Sequence, residues 1–212
     1  MNKCVIIGAG TYGQVYAVYL STKYEVLGFV DDDESIIGSY VVGHKVLCSV
    51  QTLMEGKVVD PSLTSVFVPI GNNMIRSNIL HKARVCGFET PSFVHETVIL
   101  DSTIILGDAV YILPACNIMP FVTVADDVMI SMGVNIAHHV QIEKGCFFSQ
   151  GTNIGASILV KQRAYIGISS TLMTGVKVIG QDSLVGAGAV VIRDVPDNAV
   201  MAGVPAKVLK YK

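Results

Sequence analysis

From Val94 to Val178 an apolar residue returns at every sixth position without a gap. The run is Val94, Leu100, Leu106, Ile112, Ile118, Val124, Ile130, Ile136, Ile142, Phe148, Ile154, Val160, Ile166, Leu172 and Val178. The phase then slips by one residue, and Ile179, Val185 and Val191 carry it on. Four residues after each anchor stands a second position, usually small or β-branched, as at Val110, Cys116, Val134, Val140, Thr152 and Ser170. An amphipathic helix repeats its apolar positions about every three to four residues, and a half-buried strand about every second one. A period of six fits neither. It predicts a parallel β-helix, in which each side of a coil is one short strand followed by a corner. Three hexads make a coil of about eighteen residues. Each coil has open faces that only its neighbours can bury, so the coils must stack.

The first ninety or so residues follow another pattern. Residues 3–7 read as a short buried strand, followed by Gly8-Ala9-Gly10-Thr11-Tyr12-Gly13 and a helix over 14–21. This G-x-G-x-x-G between strand and helix permits a tight turn and presents helix N–H groups to a phosphate. A second strand, 25–30, runs into Asp31-Asp32-Asp33-Glu34. An acid at that point can accept hydrogen bonds from a nucleoside, while an acidic run can equally solvate a turn. A third strand, 65–70, leads into Gly71-Asn72-Asn73 and a helix that contains Arg76 and Arg84 and ends near Gly87. This is about half of a full dinucleotide fold, which favours a mononucleotide-sized ligand over NAD. Residues 89–92, with Pro91, mark the hinge. The expected division is an α/β nucleotide-binding domain, 1–91, and an all-β repeat domain, 92–212.

Composition narrows the function classes. Apolar residues make up 51% of the chain and charged residues 15%, with no long stretch free of charge or Gly, which argues against a transmembrane span. A net charge of −2 with no basic block argues against nucleic acid as a partner. The start MNKCVIIGAG does not read as a secretory signal, and the five Cys show no CxxC spacing. Both point to the reducing cytoplasm. Among the five His, the pair His138-His139 lies between the inward anchors Ile136 and Val140 and therefore points outward near a corner. Imidazole is suited to general-base work near neutral pH. Adjacent side chains on an extended strand diverge, and no third ligand is evident, so a metal is not expected.

The hexads, with the ending Asp194-Val195-Pro196-Asp197-Asn198 and Gly203-Val204-Pro205-Ala206-Lys207, resemble the left-handed β-helix hexapeptide acyltransferases. The N-terminal GAGTYG, FVDDD and VPIGNN segments narrow the likeness. Over essentially its whole length the chain resembles the two-domain sugar acyltransferases, which include bacillosamine-pathway N-acetyltransferases and sialic acid O-acetyltransferases. That resemblance implies the left hand and triangular section of the β-helix. It further implies a homotrimer, acetyl-CoA in the groove between adjacent β-helices, and a nucleotide sugar held by the N-terminal domain.

His138 matches the catalytic His of the family, in a segment of hydrophobic residue, any residue, His. Where many relatives follow it with Asp or Glu, this chain has His139, a candidate for a secondary catalytic role. Where the bacillosamine type has a second His nine residues on, it has Phe147, and where they have Asn seven residues before, it has Ser131. Glu143, or an acid from a neighbouring subunit, is a candidate for the missing carboxylate. A coil of eighteen places Ala156 and Thr174 in the tiers after His138, where they would meet the acetyl carbonyl. Lys207 is a candidate for a CoA phosphate. Gly10, Thr11, Tyr12, Asp31, Asp32, Gly71 and Asn72 are the candidate nucleotide-sugar contacts. The implied activity is acetyl-CoA-dependent N-acetylation of a nucleotide-linked amino sugar for bacterial surface glycan synthesis. Sugar O-acetylation, and a weakened homologue that binds or scaffolds without turnover, stay open.

Overall fold

The computed structural model describes all 212 residues, and the chain divides into two compact units, Met1–Pro91 and Ser92–Lys212.

The first unit is a five-stranded sheet with helices. Its elements are β1 (Asn2–Ile7), α1 (Thr11–Leu20), β2 (Tyr24–Val30), β3 (Tyr40–Val41), β4 (His44–Cys48), α2 (Val50–Met54), β5 (Thr64–Phe67) and α3 (Asn73–Val85). The sheet order is β3-β4-β2-β1-β5, and all pairs are parallel except the β3-β4 hairpin. Cys4 to Ile7 are all buried because the strand is covered on both faces, as a parallel strand must be. The α1 helix starts at Thr11, the fourth residue of the expected turn, earlier than the pattern suggests. The strand expected over 65–70 stops at Phe67. The hairpin and α2 were not legible. The β3 strand has only two residues, and α2 has five residues capped by Ser49, too short for a periodic signal. Burial pushes the Cys4 thiol up to about 12, so it packs as an inert small apolar group.

The second unit is a parallel β-helix with three faces. The first face stacks Asn117–Ile118, Asn135–Ile136, Asn153–Ile154, Thr171–Leu172 and Val190–Val191. The second stacks Ile105–Leu106, Thr123–Val124, Gln141–Ile142, Leu159–Val160 and Val178–Ile179. The third runs from Phe93–Val94 through Tyr111–Ile112, Met129–Ile130, Phe147–Phe148, Tyr165–Ile166 and Leu184–Val185 to the closing strands Ala199–Ala202 and Lys207–Tyr211. Partners pair at a separation of 18 residues, as Asn135 with Asn153, so the period of six is the length of one side. The anchors and their small companions form one continuous buried core. No helix is long and apolar enough to cross a membrane.

From Ala109 to Ser169 each corner turns on a residue in the left-handed region. Ala115, Phe121, Asp127, Gly133, His139, Gly145, Gly151 and Ser157 all have φ between 59° and 71°. The series recurs every six residues, and no β-branched residue stands in it, because a branched Cβ is disfavoured at positive φ. The phase slip is one inserted residue near Lys177. Asp194 Oδ1 takes the Lys177 and Val178 N–H groups at 2.6 and 3.1 Å, so both backbone donors at the insertion have a partner. Farther along the corner between the second and third faces, Arg163 grips Asp182 with two bonds of 2.7 Å. Those bonds hold the Asp182 carboxyl below the usual carboxylate range.

Candidate active site

The glycine turn is a packed piece of backbone. Gly8 has φ of 100°, and a Cβ on Gly13 would lie 1.8 Å from the Gly8 carbonyl oxygen. Only glycine lets α1 approach the end of β1 so closely. Gly10 caps α1 without a side chain, and a Cβ there would meet nothing. The first turn of α1, with Thr11 exposed and Tyr12 half-buried, borders that open space. Tyr12 lies against Tyr16, ring centres 6.0 Å apart.

The acidic run is partly committed to the fold. Asp31 receives the Ala9 N–H at 2.8 Å on one oxygen and the Asp33 N–H at 3.0 Å on the other. It ties the glycine turn to the end of β2. Asp32 Oδ1 receives the Val50 N–H at 2.8 Å, at the start of α2. Asn72 is the N-cap of α3 and accepts from the Met74 and Ile75 N–H groups at 3.1 Å each. Gly71 is exposed just before it. A carboxylate offers about four acceptor positions, so both acids keep capacity for a ligand beside these structural bonds.

On the β-helix, His138 and His139 are exposed at the corner between the first and second faces. Sequence reasoning has their side chains diverging, as on an extended strand. The structure corrects this. His139 has φ of 59°, so the chain is turning there, and the rings meet with Nδ1 3.0 Å from Nδ1. The Phe121 ring, one coil earlier, lies 4.8 Å from the His139 ring.

The tiers after His138 are where the eighteen-residue coil places them. The Ala156 N–H donates to Thr174 Oγ1 at 3.3 Å, one coil apart. Thr174 accepts there and keeps its own O–H to donate. Glu143 does not face the histidines. Its carboxylate accepts the Gln162 N–H at 2.9 Å, at the next corner. Phe147 lies on the third face, 4% exposed and stacked flat on Tyr165 at 5.1 Å. A His placed there would enter an apolar stack. Ser131 is buried, and its carbonyl oxygen accepts from the Cys116 thiol at 2.9 Å.

The first face carries a feature that the hexad pattern does not predict. Asn117, Asn135 and Asn153 project from the first face and bond in a ladder, amide to amide, at 2.8 and 2.9 Å. A groove of about 510 Å³ runs over this face, lined by Asn117, Met119, Asn135, Ala137, Asn153, Gly155, Met173 and Thr174. Its lining includes Ala137, the residue before His138. The signal was present in the sequence as Asn at a spacing of eighteen. Lys207 follows Ala206, whose N–H donates to the Val190 carbonyl of the same face at 2.8 Å. The lysine is exposed near that end of the face.

Residues 3–83 match the family described as the PglD N-terminal domain. GDP-perosamine N-acetyltransferase from Escherichia coli O157:H7 is 29% identical over 231 aligned residues, covering 99% of this chain and 97% of that protein. Galactoside O-acetyltransferase from Escherichia coli K12 is 32% identical over 114 residues, but the chain spans only 47% of its length. The crystal structure of PerB from Caulobacter crescentus, in complex with CoA and GDP-perosamine, superposes with a TM-score of 0.87 at 29% identity. That match covers 99% of this chain and 98% of the other. Through both of its units, this chain resembles the two-domain, hexapeptide-repeat nucleotide-sugar acyltransferases.

Proposed function

We propose that this chain is an acetyl-CoA-dependent N-acetyltransferase of a nucleotide-linked amino sugar, with His138 as the general base. The observation that carries the reading is the exposed His138 imidazole next in sequence to the groove-lining Ala137, on a fold shared at full length with an enzyme that holds CoA and GDP-perosamine. The N-terminal unit holds the nucleotide through the first turn of α1 and through Asp31 and Asp32. CoA lies along the groove, with Lys207 toward a phosphate. Acyl transfer needs a neutral amine. His138 takes a proton from the nitrogen as it attacks the thioester carbonyl, and the imidazolium returns it to the departing sulfur. The Thr174 hydroxyl, which accepts the Ala156 N–H and keeps its own proton, is suited to donate to the carbonyl oxygen as it gains charge. Turnover of a nucleotide amino sugar places the enzyme in the cytoplasm, in the synthesis of a surface glycan.

A screen of GDP-, UDP- and dTDP-linked amino sugars with acetyl-CoA, following release of free thiol, tests the activity. GDP-perosamine is the first substrate to try. Mass spectrometry of the product separates an amide from an ester. No turnover with any amino sugar leaves a binding or scaffold role.

Assembly as a homotrimer is part of the same proposal. Met119, Met173 and Ile168 are large apolar groups left exposed on the β-helix, and a copy packed alongside would cover such groups. Light scattering is expected to give about three times the 22.6 kDa chain mass. A monomer with full turnover excludes a site shared between copies.

Asp32→Ala is expected to raise KM for the nucleotide sugar by about tenfold, the scale of one charge-assisted hydrogen bond, and to leave KM for acetyl-CoA nearly unchanged. Because Asp32 also holds α2, Asp32→Asn is the companion: it keeps an acceptor for Val50 but loses the charge. Equal rises in both KM values would remove Asp32 from the sugar site.

A further inference from the structure

The contact between His138 and His139 determines where the protons of both rings must lie. Two Nδ1 atoms 3.0 Å apart need one hydrogen between them, carried by one ring and accepted by the lone pair of the other. A general base at this corner needs a bare, outward Nε2. The hydrogen of the neutral His138 ring must then sit on Nδ1. We propose that His139 is the positioning residue that holds His138 in this tautomer, by accepting the His138 Nδ1–H on its own Nδ1. This rests on the reading of His138 as the base. His139 thereby does, as a neutral acceptor, what a buried carboxylate does for the histidine of a Ser-His-Asp triad.

The local structure is built to hold that ring. His139 sits at the left-handed corner position with φ of 59°, which swings its side chain toward its neighbour. Its N–H donates to the Pro120 carbonyl at 3.4 Å, and its ring lies against Phe121. The corners stacked on either side bring Pro120-Phe121 and Ala156-Ser157, none of which ionises. As His138 becomes imidazolium during transfer, its Nδ1–H still points at a lone pair. If His139 takes up a proton on Nδ1, two N–H groups oppose each other and the arrangement fails.

The test combines kinetics with the tautomer itself. His139→Ala, His139→Asn and His139→Asp all suit the corner, since Ala115 and Asp127 stand at equivalent positions with φ of 60° and 61° and Asn tolerates the same region. His139→Ala is expected to lower kcat by at least about tenfold with KM for acetyl-CoA unchanged, a modest share of what a base supplies. His139→Asp restores most of kcat and moves the acid limb of the pH profile to higher pH, because a negative acceptor raises the basicity of His138. Ring ¹⁵N NMR, which needs no turnover, is expected to find His138 protonated on Nδ1 in the wild type at alkaline pH and on Nε2 in His139→Ala. Wild-type kcat and pH profile in His139→Ala overturn the proposal. So does an equal loss in all three variants, or an Nε2–H tautomer of His138 in the wild type. An inactive wild type that still shows the Nδ1–H tautomer keeps the pairing and removes the enzyme reading alone.

Discussion

His138→Ala is expected to lose at least about a hundredfold in kcat while acetyl-CoA still binds. A positioned general base contributes about 10²- to 10⁴-fold, and no other group at this corner can take its place. An amine that arrives as ammonium has no lone pair for attack, and a hydroxyl is a poor nucleophile until its proton leaves. His139 cannot substitute for the missing base. Its ring is committed to the His138 Nδ1 and lies under Phe121, and once His138 is gone nothing aims it at the groove. Both residues are exposed, so truncation leaves no cavity, and the fold should survive. Steady-state kinetics with saturating acetyl-CoA, together with calorimetric binding of CoA, reads the two effects separately. Wild-type turnover in this variant would sink the base assignment. Loss of CoA binding along with turnover would instead mean that the groove has changed shape.

The largest effect on stability is expected at Phe148. It is the one aromatic among the inward anchors from Val94 to Val191, and it is fully buried. Its own coil offers Cys146 and Thr152 as neighbouring inward positions, both fully buried and both small. One large side chain among small ones fills the section, much as alternating sizes fill other layered cores. Phe148→Ala therefore leaves a cavity that its neighbours cannot close, at a cost of about 3–5 kcal/mol. At about 2–4 °C per kcal/mol for a chain of this size, melting should fall by roughly 6–20 °C. In a stacked array each coil supports only its neighbours, so the damage should spread along the β-helix and not into the first unit. Thermal unfolding followed by circular dichroism, with hydrogen exchange to locate the loss, checks this. A fall under about 2 °C, less than a 1 kcal/mol loss would give, would show that the coil collapses around the gap.

Much of this protein is written locally. Period six needs only a look along the chain, because one side of a coil is one hexad and each anchor does the same job. The same regularity locates the inward companions, the coil length, and the stacking of Ala156 and Thr174 after His138. The glycine turn is equally legible, since the contact of Gly13 with the Gly8 carbonyl tolerates no side chain. The short hairpin of Tyr40–Val41 with His44–Cys48 escaped, because so few residues carry no period. The Asn ladder also escaped, although its spacing of eighteen was visible. Asparagines project from many surfaces, and only stacked neighbours make amide-to-amide bonds informative.

The sequence by itself determined the repeat, the two-part organisation, the exposed histidine pair and the glycine turn, because each depends on neighbours within a few residues or on a fixed period. What only the tertiary structure decided were contacts set by backbone direction. The left-handed φ of His139 turned two expected divergent rings into a bonded pair. Asp31 and Asp32, alike in sequence, separated into a tie on the glycine turn and an acceptor for Val50 at the start of α2. Glu143 went to Gln162 and not to the histidines. A side chain's partner depends on the angle at which its backbone leaves the strand and on what the next coil brings beneath it, and neither is a property of the residue's own stretch of chain.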